Sequence, residues 1–141
     1  RMLFSSMMYP ADYGFIPETL ALDGDPLDVL VLVTKPTFPG CVIEVKPIGV
    51  FHMADDKGPD EKVICVPVSD PIWNSLNDLS DVNPHLVKEI EHFFQVYKDL
   101  ENKNVDVEGW GDVNEARAII KECTERFEAI ENKPEGLFSI K

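Results

Sequence analysis

At 141 residues, 44% of them hydrophobic and 28% charged, the chain has the size and composition of one globular domain spanning 1–141, with a core of its own. No apolar run approaches the roughly 20 residues that cross a bilayer, and a net charge of −13 disfavours a nucleic-acid partner, because phosphate backbones are repelled. Cys41, Cys65 and Cys123 are scattered and form no C-x-x-C pair, which argues against a disulfide framework or a thiolate zinc site and fits the reduced cytoplasm.

Arg1-Met2-Leu3-Phe4 reads as the end of a strand, so residues are expected upstream of it. Residues 1 to about 70 read as strands and loops. Leu27 to Val33 is an apolar, β-rich run closed by turn signals at Pro36 and Pro39-Gly40. Cys41 to Lys46 alternates in part, and Ile48 to Met53 follows it. Asp55 to Asp60 is a polar loop containing Gly58-Pro59, and Lys62 to Val68 is the next strand. Short strands separated by Gly and Pro turns predict a small barrel.

The second half reads as helical. Asn83 is an N-cap with Pro84 at the first helical position. Leu86, Ile90, Phe93, Phe94, Tyr97 and Leu100 recur at helical spacing. Val105 to Glu108 alternates as a returning strand. Asp112 opens a second helix with Glu115 as its capping-box partner, and Ala116, Ile119, Ile120, Cys123 and Phe127 form the buried stripe. The tail beyond Asn132 is expected to be extended. The fold class is therefore α+β: a small OB-like antiparallel β-barrel with two helices from the C-terminal half packed against it.

Asp23, Asp25 and Asp28 fall within six residues at the start of an apolar strand. In an extended segment Asp23 and Asp25 project to one side. Carboxylates held that close repel unless a cation neutralises them, and hard oxygen donors suit Mg²⁺, Mn²⁺ or Ca²⁺ rather than zinc. An ordinary Asp-Gly turn with solvated acids competes equally from these residues alone. A calcium EF-hand is excluded, since its sixth and twelfth loop positions would be Asp28 and Thr34. Asp55 to Lys62 is a second acidic cluster whose simplest reading is a solvated hairpin. Tyr97-Lys98 ends the first helix, where Tyr97 continues the packing stripe and Lys98 complements the helix dipole. Tyr9 to Phe15 reads as aromatic packing. His52, His85 and His92 share no metal-ligand spacing and read as surface or packing residues.

Together these pieces resemble the family I soluble inorganic pyrophosphatases. Asp23-Gly24-Asp25-Pro26-Leu27-Asp28-Val29 matches that family's D-x-D-P-x-D signature. Tyr9-Pro10, Tyr13-Gly14, the Asp55, Asp60 and Lys62 spacing, His92 to Lys98, and Val105 to Trp110 stand around it in order. The resemblance runs from Arg1 to about residue 130. It implies hydrolysis of pyrophosphate to two phosphates in a site holding several Mg²⁺ ions, with Mn²⁺ as a substitute and Ca²⁺ inhibitory. By that resemblance Asp23, Asp28 and Asp60 hold one metal, Asp28 shares a second, and a hydroxide bridging the two is the nucleophile. Asp25 accepts the water's proton, and Asp55 with Asp60 holds a third metal. Arg1, Tyr13, Lys62, Tyr97 and Lys98 grip the phosphates.

The resemblance also implies a cytoplasmic homo-oligomer, a hexamer if the source is prokaryotic. In the family an N-terminal strand adds two glutamates and a lysine. It precedes the position of Arg1, so the visible segment is expected to lack strands and to turn over weakly alone. The alternative is a non-catalytic OB-like barrel that binds divalent metal or a polyanion.

Overall fold

Strand side chains alternate between two faces, and Leu27–Val31 (β2) buries both. Leu27, Val29 and Val31 point to one side, and Leu30 points to the other with Asp28. Such two-sided burial demands a layer above and a layer below the sheet. The computed structural model describes residues 2–130, and it supplies both layers. Asp12–Ile16 (β1), β2, Val45–Asp55 (β3), Gly58–Pro59 (β4), Lys62–Pro67 (β5) and Asp106–Gly111 (β6) form one six-stranded sheet. The strand path is β1-β2-β5-β3-β4, with β6 paired to β3. The helices are Pro84–Val96 (α1) and Val113–Glu128 (α2).

The α+β, OB-like architecture agrees with the sequence reading, with one refinement. Every pair is antiparallel except β2 with β5, which runs parallel with Asp28 opposite Lys62. Among the described residues the sheet does not close on itself.

One core lies between the sheet and α1. There Leu30, Ile48, Phe51, Met53 and Ile64 meet Ile90, Phe93, Phe94 and Tyr97. Phe51 stacks on Phe94 with ring centroids 5.6 Å apart and tilts against Trp110 at 4.8 Å. The other core lies under α2, where Leu27, Val29, Val50, Val63 and Cys65 meet Ala116 and Cys123. Both helix starts are capped as the sequence predicts. Asn83 accepts from the His85 N–H at 2.9 Å. Asp112 and Glu115 exchange side-chain and backbone bonds at 3.0 and 3.1 Å. Gly111, just before that cap, lies close under Val50 and the Glu115 carboxylate, which a larger residue would have to displace. A Cβ there would stand 2.9 Å from Val50 Cγ1 and 2.5 Å from Glu115 Oε2.

Three local expectations differ from the structure. Residues 2–4 form no strand, and Met2 and Phe4 are exposed. The two runs 41–46 and 48–53 are not separate strands. Cys41 to Glu44 is irregular, and β3 absorbs the rest through a bulge between Pro47 and Gly49. Proline lacks the N–H that a regular ladder needs, which explains the bulge there. Leu100 leaves the buried stripe, because α1 ends at Val96 and Leu100 sits 67% exposed in a 3-10 turn. The tail beyond Asn132 lies outside the described residues. Among the described residues no helix is long and apolar enough to cross a membrane.

Candidate active site

The loop between β1 and β2 carries the first acidic cluster, and its polar groups close it on itself. Buried Thr19 donates from Oγ1 to the Ile16 carbonyl at 2.5 Å and accepts from the Leu27 N–H at 2.9 Å. The Ala21 N–H donates to the Asp25 carbonyl at 2.8 Å, and the Gly24 N–H to the Ala21 carbonyl at 3.1 Å. Gly24 takes φ +89°, a conformation that L side chains resist. The Asp25 N–H donates to Asp23 Oδ1 at 3.0 Å. The segment is thus a turn and not extended, as the same-side argument for Asp23 and Asp25 assumed. The Asp-Gly pair makes its turn, and the turn delivers the chain to Asp28. Asp23 is half-buried and Asp25 is exposed.

Asp28 lies on the α1 face of the sheet, and register brings its partners to it. Lys62 stands opposite it on β5, and Tyr13 lies on the neighbouring strand β1. The Lys62 ammonium, 2% exposed, donates to Asp28 Oδ2 at 2.5 Å, Asp60 Oδ1 at 2.7 Å and the Tyr13 hydroxyl at 3.0 Å. It also lies 5.4 Å from the Tyr13 ring centroid and 5.9 Å from that of Phe94. Burial alone would lower the Lys62 pKa, but the Asp28 and Asp60 carboxylates outweigh it and hold the value above ordinary. Asp60 is raised by burial and by the charges of Asp28 and Asp23, against the opposing pull of Lys62. Asp23 is raised by desolvation and by Asp25 and Asp28. The Tyr13 phenol is also raised, by desolvation first and then by Asp28, although the residue as a whole stays 40% exposed.

The β3–β4 hairpin carries the second acidic cluster. Asp55 accepts the Lys57 N–H at 2.9 Å on Oδ1 and the Lys98 ammonium at 3.3 Å on Oδ2. Desolvation pushes its pKa up, but these donors prevail and hold it below the ordinary value. Lys98 lies 5.3 Å from the Tyr97 ring centroid, just past the end of α1. It therefore points at a carboxylate rather than merely complementing the helix dipole.

The structure brings Tyr13, Asp28, Asp60 and Lys62 into direct contact and joins Asp55 to Lys98. It sets Asp23 within the electrostatic reach of Asp28 and Lys62. Tyr97 is buried in the α1 core. Arg1 lies outside the described residues. Among the described residues no three His, Cys, Asp or Glu side chains converge as a cation site. Asp28 and Asp60 converge on the Lys62 ammonium instead. The donor chemistry nonetheless fits a hard divalent cation. Every candidate ligand is a carboxylate, and Asp23 and Asp60 are shifted above the ordinary value, first by burial and then by the neighbouring carboxylates.

Two contributors lie outside the site residues expected from the sequence. Tyr9 packs on Tyr13 and on Phe93, with ring centroids 5.0 and 4.9 Å apart, and so braces the Tyr13 ring. Thr19 anchors both ends of the acidic loop. Tyr9 was visible as part of Tyr9-Pro10, whereas nothing in the sequence marks Thr19.

The inorganic pyrophosphatase family model matches residues 1–128. The inorganic pyrophosphatase of Methanosarcina mazei is 59% identical over 127 residues, covering 90% of this chain and 75% of that protein. That of Halalkalibacterium halodurans is 52% identical, covering 90% of this chain and 78% of that protein. The crystal structure of inorganic pyrophosphatase from Thermus thermophilus superposes with a TM-score of 0.88 at 45% identity, covering 92% of this chain and 76% of that one. With a family model that matches residues 1–128 and a relative 59% identical over 90% of its length, the chain belongs to the inorganic pyrophosphatase family.

Proposed function

We propose that this chain hydrolyses inorganic pyrophosphate to two phosphates with Mg²⁺ as its divalent cofactor, Mn²⁺ substituting and Ca²⁺ inhibiting. The observation that carries this is the meeting of Asp28, Asp60, Lys62 and Tyr13 on one face of the sheet beside the acidic loop. Pyrophosphate offers almost no apolar surface, so a site for it must be built of charge and hydrogen-bond donors. Asp23, Asp28 and Asp60 are the ligands we assign to the first cations, and Asp55 with Asp60 to a further one. Bound there, divalent ions screen the phosphate charge and make water more acidic.

The protein's own residues supply the rest. Asp25, exposed at the tip of the loop, takes the proton as the water oxygen bonds to phosphorus and the bridging P–O bond breaks. Lys62, Lys98 and Arg1 offset charge on the attacked and departing phosphates, while Tyr13 and Tyr97 donate neutral hydrogen bonds. Both lysines are tied to carboxylates here, so they are pre-aimed at the place where anions and cations meet. We further propose a cytoplasmic homo-oligomer and a single domain over 1–141.

Phosphate release from pyrophosphate with Mg²⁺, run beside Asp25→Asn, tests the assignment of the base. The variant should lose about 100-fold or more in turnover while still binding Mg²⁺. Equal rates in the two proteins would remove Asp25 from the mechanism.

A further inference from the structure

The acidic loop buries little. Leu22 is 62% exposed, and Gly24 and Asp25 are exposed beside it. Beyond Ala21, which packs against the α2-side core, the loop has little apolar packing to hold Asp23 and Asp25, and its polar ties take that part. Thr19 supplies one tie, to the strands on either side. The other comes from α2, far along the chain. Leu20 has both backbone groups engaged there: its N–H donates to the Cys123 carbonyl at 3.0 Å, and its carbonyl accepts from Arg126 Nη1 at 2.7 Å. The same Nη1 lies 3.7 Å from Cys123 Sγ, which steadies the half-buried guanidinium. The next residue, Ala21, begins the hydrogen-bonded ring that ends at Asp25.

We infer that Arg126 is a positioning residue, which acts through the Leu20 carbonyl to hold Asp23 and Asp25 where cation and water are handled. This rests on the reading of Asp23 to Asp28 as the metal-binding loop. Among the described residues Arg126 makes no hydrogen bond or ion pair with a site carboxylate. The helix has other supports. Ala116, Cys123 and Phe127 pack α2, and Asp112 caps it. A charge-assisted bond to a carbonyl is a strong tie for an exposed loop. Residues that orient metal ligands from behind cost about tenfold or more in metal affinity when removed. A cleft bounded by Ala21, Leu27, Ile119 and Cys123 beside Arg126 leaves room for a shorter apolar chain.

Mg²⁺ titration by calorimetry of the wild type, Arg126→Met, Arg126→Lys and Asp28→Asn, with metal-free melting curves, tests this. Arg126→Met should melt cooperatively, raise the Mg²⁺ dissociation constant about tenfold, and regain a turnover within about twofold of wild type at saturating Mg²⁺. Arg126→Lys should lie between the two. A folded Arg126→Met with wild-type Mg²⁺ affinity overturns the inference. Should Arg126→Met fail to melt cooperatively, Arg126→Lys decides: a weakened affinity supports the clamp and a wild-type affinity overturns it. Asp28→Asn separates the two levels. If it binds Mg²⁺ as wild type does, the metal-loop reading fails and the clamp with it. If it loses Mg²⁺ while Arg126→Met does not, only the clamp fails.

Discussion

Lys62 is the residue on which the site turns. It is 2% exposed, yet it is an ammonium, and it stays charged because Asp28 and Asp60 face it. A buried ion triad adds little net stability, but removing one partner leaves charge uncompensated. Lys62→Met should therefore lose about 3–5 kcal/mol in metal-free buffer. Added Mg²⁺ should raise its melting temperature more than it raises that of the wild type, because a cation then serves the carboxylates Lys62 left. Equal Mg²⁺ shifts in the two proteins would show that Asp28 and Asp60 do not bind the cation. At this scale the sequence was informative about residue type and less so about contact. The Asp60-x-Lys62 spacing brings an acid and a base together at the entry to β5, and Asp28 announces itself by interrupting an apolar strand. That the three would touch follows from the parallel register of β2 on β5, which no local signal encodes. Thr19 was invisible for the same reason, since its importance lies in the two backbone groups it joins.

Among the elements, the caps and helices were the most legible. Asn83-Pro84 and the Asp112/Glu115 pair define helix starts by local chemistry alone, and the structure has them both. The 3-10 turn Leu79–Asp81 was not anticipated, and Asp78 builds it. Asp78 Oδ2 accepts from the Ser80 hydroxyl at 2.8 Å, and Oδ1 accepts from the Val113 N–H at 3.0 Å, linking the turn to the start of α2. The Val113 N–H and the Ser80 hydroxyl and N–H hold the Asp78 carboxyl below its ordinary value. A depressed carboxylate pKa stabilises the fold above the unfolded value and loses that contribution as pH falls through the folded one. Asp78→Asn should accordingly melt lower than wild type at pH 7, with the gap closing below about pH 4. A gap that stays constant down to pH 2 would show that the charge of Asp78 is not what matters. The β3 bulge was unreadable as such, because proline signals a break in pairing but not whether the strand resumes beyond it.

For the whole molecule, division of labour between the two faces of the sheet is the main consequence. The α1 face buries the aromatic core and presents Tyr13, Asp28, Lys62 and Lys98 at its edge. The α2 face grips the acidic loop from behind through Leu20. The fold class was legible because strand-rich and helix-rich halves are separate in the sequence. The open path of the sheet was not, since closure depends on long-range pairing. A net charge of −13 would be costly if the acids were crowded without relief, and the fold answers with paired lysines at the two carboxylate clusters. The central claim is that these clusters, once loaded with Mg²⁺, turn over pyrophosphate. The most direct measurement is phosphate release from pyrophosphate by the wild type and Asp28→Asn across a Mg²⁺ titration. The account predicts Mg²⁺-dependent turnover in the wild type, and a fall of about 100-fold or more in Asp28→Asn. Mg²⁺ binding by the wild type without any phosphate release, or an Asp28→Asn variant as active as wild type, would contradict it.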